Sequence, residues 1–166
     1  MGVLAVTGNH EYYAGDAVNW VQRWRDVGVR PLVNESVRVS RDGPNGGSSV
    51  TVVGVNDRKG TAPLTPDYDA AFAGVQRSEF TIAVAHEPLQ GREFAARGAD
   101  LQVAGHTHGG QLWPFRYFVR LQQPALAGLE SVDGMPVYTS RGAGAWGPPV
   151  RVASPPEIAI LQLRAA

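Results

Sequence analysis

An α/β fold is what the 166-residue sequence predicts, on three observations. Short apolar runs at 3–6, 51–55, 80–84 and 101–104 have the length of buried strands. Between them lie stretches with helical spacing, most clearly Ala17, Val18, Trp20, Val21, Trp24 and Val27. Three of the four runs end in polar loops that carry histidine, at the carboxyl ends where open α/β sheets bind ligands.

The elements follow in order. Residues 3–6 read as a buried strand and 7–11 as the loop at its end. Asp16 is a natural N-cap for the helix that follows, Gly28 its stop, and both tryptophans are expected to pack on the sheet. Strands at 30–33 and 36–40, a turn at 41–49 and the strand at 51–55 suggest a hairpin. Residues 66–75 form a helix, with Thr65 as N-cap, Pro66 at the first helical position and Asp67 and Asp69 in the first turn. After the strand at 80–84, Pro88 starts a helix through Arg97, with Gly98 as its stop. Strands at 128–132 and 135–138 pair across Asp133-Gly134, a two-residue hairpin signal. Residues 157–163 close the fold as a last strand, and no linker divides 1–166 into two domains.

Apolar residues at 43% and charged residues at 18% indicate a globular chain. Fifteen basic and fifteen acidic groups cancel, so no bulk attraction to nucleic acid is expected. The absence of cysteine excludes disulfides and thiolate metal sites. No run approaches the ~20 apolar residues of a membrane span, and no basic-then-apolar leader is visible. The expected location is the cytoplasm or the face of a membrane.

The chemistry lies in Ala104-Gly-His-Thr-His-Gly-Gly-Gln111. His106 and His108 sit two apart, so on an extended chain both rings face one side. The flanking glycines permit a tight loop that aims them, giving a metal cradle or, alternatively, a polar turn with two surface histidines. The chain's other two histidines, His10 and His86, also follow apolar runs. Asn9 offers a carboxamide oxygen to a cation, and His10 can act on a substrate oxygen. Imidazoles with a carboxamide suit Mn, Fe, Zn or Co rather than Ca or Cu(I).

Gly8-Asn-His-Glu11, Ala85-His-Glu-Pro88 and Gly105-His-Thr-His108, in that order, resemble the later motifs of the calcineurin-like metallophosphoesterases. The form Gly105 to Gln111, with the tail from Tyr138 to Pro149, is similar to a bacterial branch of that family that is often membrane-associated. The resemblance implies a four-layered α/β sandwich whose binuclear site sits at the strand ends. It implies that Asn9, His86 and His106 bind one divalent cation, that His108 binds the other, and that His10 serves the leaving oxygen. It also implies two earlier motifs, Asp-x-His and Gly-Asp, that this sequence does not show. The chain therefore reads as the C-terminal part of such a domain, without its first βαβ portion.

Three further sites are open to two readings each. Asp57 follows the strand at 51–55 and either supports a metal ligand from behind or belongs to a solvated turn. Arg141, in a glycine-rich stretch, either binds a phosphate oxygen or is a surface arginine. Residues 112–121 hold Trp113, Phe115, Tyr117, Phe118 and Leu121 beside Arg116 and Arg120. They either touch a membrane or lipid-like substrate or pack as a loop on the domain. The function expected is metal-dependent hydrolysis of a phosphomono- or diester, lipid or nucleotide. A non-catalytic remnant holding one metal and a mononuclear zinc hydrolase are the competing readings.

Overall fold

The computed structural model describes residues 2–42 and 47–164. The centre of the turn expected at 41–49 lies outside them. The chain opens with strand β1 (Val3–Ala5), helix α1 (Asn9–Tyr13), helix α2 (Ala17–Asp26) and strand β2 (Val29–Pro31). Next come β3 (Glu35–Arg41), β4 (Ser48–Gly54), α3 (Tyr68–Phe72) and β5 (Thr81–Val84). Helix α4 (Gly91–Ala96), β6 (Leu101–Ala104), α5 (Arg116–Gln122), β7 (Gly128–Val132) and β8 (Met135–Thr139) complete the list.

Six strands form one sheet in the order β3-β4-β5-β6-β8-β7. The four inner strands are parallel, and antiparallel β3 and β7 close the two edges. Parallel inner strands favour short apolar runs, although burial along β5 and β8 alternates between the two faces. Val53, Ala83 and Val137 are buried there with Val55, Phe94 and Met135. The hairpin of β7 and β8 turns on Asp133 and Gly134, both at positive φ, the geometry of a type I′ turn. The mixed α/β class and both expected hairpins are present.

Four local expectations fail for identifiable reasons. The first strand is not buried: Val3 is 61% exposed, because β1 pairs only with β2, in a separate two-stranded sheet. The α2 tryptophans are not core residues of the large sheet. Ala17 and Val21 pack on Leu64, with Trp24 half-buried beside them, while Trp20 is exposed and takes the Arg23 guanidinium over its ring at 5.4 Å. The helix expected at 66–75 shrinks to α3. Its cap is Asp67 rather than Thr65, because the Asp67 carboxylate accepts the Ala70 N–H at 2.9 Å. Residues 157–163 form no strand and pair with neither edge of the sheet. Glu157 is committed to Arg141 and Tyr138, and Ile158 and Ile160 point outward. Among the described residues, no helix is long and apolar enough to cross a membrane.

Candidate metal centre

The carboxyl ends of β5 and β6 and the start of α1 meet at a cavity of about 340 Å³. Asn9, His10, His86, His106 and His108 all line it. The chain reaches this arrangement by routes that local periodicity does not show. Asn9 and His10 lie in the first turn of α1, not in a loop. Glu11 folds back to accept the Gly8 N–H at 2.7 Å, which fixes the helix start that presents both side chains. Gly8 itself is needed for space, since a Cβ there would stand 3.0 Å from the His86 ring. His106 and His108 do not converge by strand pleating. Both take positive φ, 67° and 50°, and the chain coils into a 3-10 turn after β6. Thr107 holds that turn by donating to the Leu126 carbonyl at 2.6 Å.

Three donor atoms converge. His86 Nε2 lies 2.9 Å from Asn9 Oδ1 and 3.1 Å from His106 Nδ1. A neutral His86 carries at most one proton on Nε2, so its own N–H serves at most one of the two contacts. The rings of His86 and His106 meet edge to face at 4.9 Å. Burial, then the neighbouring His106, pushes His86 down to about 4. Burial also lowers His106, and burial and the Arg151 charge lower His108. Each ring is thus shifted toward its neutral form, the form that binds a cation.

The fit to metal is partial. Two imidazoles and a carboxamide suit a borderline transition cation and supply a share of one coordination shell. Among the described residues, no three His, Cys, Asp or Glu side chains close round a common point. Among the described residues, no carboxylate lines the cavity.

His108 faces a partner the sequence did not suggest. Arg151 Nη2 donates to His108 Nδ1 at 3.0 Å, which places the proton of the neutral ring on Nε2. The same guanidinium binds the carbonyls of Arg141, Gly142 and Gly144 and so ties the 141–151 segment to the motif. Gln111, fully buried, holds the next part of that segment, bonding Trp146 through both its backbone N–H and its carbonyl. Neither residue carries a local signal, because each acts on a chain segment roughly 35 or more positions away.

Arg141 is not among the cavity residues. Its Nε pairs with Glu157 Oε2 at 2.7 Å. Asp57 is outside the cavity as well, and it is not a solvated turn residue. It is fully buried, accepts the Lys59 N–H at 2.8 Å through Oδ1, and leaves Oδ2 unpartnered. Burial raises its carboxyl to about 6. A folded value above the unfolded one stabilises the fold at low pH and withdraws that support as pH rises. Stability is thus expected to fall by up to about 3 kcal/mol between pH ~4 and ~6 from this group. Asp57→Asn should flatten that part of the stability–pH curve in urea melts, and an unchanged slope would contradict it.

Behind the cavity, Glu87 accepts from Arg58 at 3.1 Å and from Gln123 at 3.0 Å. Burial would raise the Glu87 carboxyl, but the Gln123 bond and the charges of His106 and Arg58 hold it below the usual range.

Comparison with known proteins matches this chain along nearly its whole length. It is 38% identical over 167 residues to an uncharacterized metallophosphoesterase of Helicobacter pylori, covering 98% of this chain and 42% of that protein. It is 35% identical over 175 residues to a transmembrane protein with metallophosphoesterase domain of Bos taurus, covering 100% of this chain and 39% of that one. An uncharacterized metallophosphoesterase of Aquifex aeolicus is 32% identical over 172 residues, with 61% of its length covered. Over nearly its whole length the chain is thus similar to metallophosphoesterases. It spans about two-fifths of the length of the first two of these relatives. No family model and no solved structure matches it.

Proposed function

We propose that the protein to which this chain contributes is a metal-dependent phosphomono- or diesterase with a binuclear centre, and that 1–166 is the C-terminal part of its catalytic domain. The observation that carries this is the meeting of Asn9 Oδ1, His86 Nε2 and His106 Nδ1, with His10 on the same cavity, in a chain similar to metallophosphoesterases along nearly its whole length. In this reading Asn9, His86 and His106 hold one cation and His108 contributes to a second, the ions being Mn, Fe, Zn or Co. When bound, such cations polarise phosphoryl oxygens and make an attacking water acidic. His108 joins a cation through Nδ1 only when Arg151 has turned off that nitrogen.

The remaining work falls to the chain itself. His10, exposed at the cavity and edge to face with Tyr13 at 5.8 Å, gives a proton to the leaving oxygen. Asp57 and Arg141, which lie outside the cavity, act by shaping its surroundings rather than by touching substrate. The whole protein would complete the four-layered sandwich that the resemblance to calcineurin-like metallophosphoesterases implies. Exposed Trp113, Tyr117, Phe118 and Leu121 support a membrane contact through 112–121. A single-cation, non-catalytic module is the second reading, favoured by the lack of a His, Cys, Asp or Glu trio among the described residues.

Hydrolysis of p-nitrophenyl phosphate and its bis ester by the whole protein, with Mn and with chelator, separates the two. Metal-dependent release abolished by His86→Ala supports the hydrolase. Metal binding without hydrolysis of either ester supports the module.

A further inference from the structure

We propose that the cavity wall made by Phe115, Val119 and Trp146 is a subsite for an alkyl or aryl group carried by the substrate. This rests on the phosphoester reading above and adds the class of alcohol the site takes.

The cavity lining holds two chemically distinct groups. Asn9 and the four histidines make up one, and Phe115, Val119 and Trp146 make up another. Phe115 is the N-cap of α5, in helical backbone conformation, and Val119 follows four residues on, so the two share one helix face. Trp146 reaches them from a distant segment, its ring 5.5 Å from that of Phe115. Gln111 fixes that segment by three hydrogen bonds to the backbone of Trp146 and Pro148. The wall is therefore positioned, not a chance exposure of a loose aromatic.

None of the residues lining the cavity is lysine or arginine. A second or third phosphate, as in a nucleoside polyphosphate, finds no side-chain cation on it among the described residues. Gln123 is already bonded at both ends of its amide, to Leu89 N–H and to Glu87. Apart from the Gln122 amide, what Phe115, Val119 and Trp146 offer here is apolar surface. No residue of α5 is buried, and Phe115 is 42% exposed, so a bound apolar group would cover area that is now wet. The volume, about 340 Å³, lies in the range of small-molecule sites. The outward face of α5 is a separate surface, where Leu121 is 84% exposed.

The test uses the whole protein with divalent metal and methyl, butyl and hexyl phosphates, whose alcohols leave with nearly the same intrinsic ease. The value of kcat/KM is expected to climb about two- to fourfold per added methylene. Phe115→Ala and Val119→Ser should flatten that dependence, whereas Leu121→Ala should keep it. Equal rates for all three esters, or loss of the dependence with Leu121→Ala as large as with Phe115→Ala, would overturn the subsite. Affinity for hexylphosphonate against methylphosphonate, read by calorimetry, reports on the wall without turnover. Tighter hexylphosphonate binding with no ester hydrolysed would defeat the hydrolase reading and leave the subsite standing. Equal affinity for the two phosphonates would overturn the subsite whatever the turnover.

Discussion

Replacing His10 with alanine in the whole protein is expected to lower kcat by about 10²- to 10⁴-fold, the usual reach of a general acid. Metal content should not change. The expectation comes from position. His10 follows Asn9 in the first turn of α1, yet only Asn9 touches the His86 and His106 pair. Its ring is exposed at the cavity, with Tyr13 beside it rather than another imidazole. A group so placed reaches a substrate oxygen without sharing the donor cluster. Elemental analysis of the purified variant, paired with its rate, checks both halves. A variant that loses metal along with activity would move His10 into the ligand set and remove the proposed acid.

Gly110→Ala is expected to cost more stability than any surface change in the chain, about 2–4 kcal/mol. Gly110 sits at φ +81°, and a Cβ there would lie 2.4 Å from the Arg116 Cα. That neighbour is backbone, so relief requires moving α5 itself rather than a side-chain tip. For a chain of this size the loss corresponds to a drop in Tm of roughly 10 °C. Gly142→Ala is the control. Its φ is also positive, at +65°, but nothing stands within 4 Å, so only the backbone penalty of about 1–2 kcal/mol applies. Equal melting temperatures for the two variants would contradict the close approach of α5 to the motif. Since Phe115 and Val119 hang on α5, Gly110→Ala should also weaken any preference for apolar esters.

Much of the sheet was legible because parallel inner strands betray themselves as apolar runs, and Asp133-Gly134 betrays its hairpin. The histidines were legible as a set because β1, β5 and β6 each lead into them. The way they meet was not. Alternation along a strand suggested that His106 and His108 share a side, whereas two left-handed residues and a 3-10 turn bring them to the cavity. The same limit explains Arg151 and Gln111. Their partners lie at His108 and Trp146, and no spacing rule spans such separations. Trp20 and the 157–163 stretch failed for the opposite reason. Their apolar spacing is real, but the fold sets no partner surface against it among the described residues. Thr65 lost the cap to Asp67 through a contest of neighbours that composition alone does not decide.

Anomalous diffraction from crystals of the whole protein soaked in Mn would show where a cation sits among these side chains. The expected result is a peak bonded to Asn9 Oδ1, His86 Nε2 and His106 Nδ1, with the His10 ring facing the site but outside bonding distance. A protein that binds Mn with all three of these side chains left uncoordinated would contradict it.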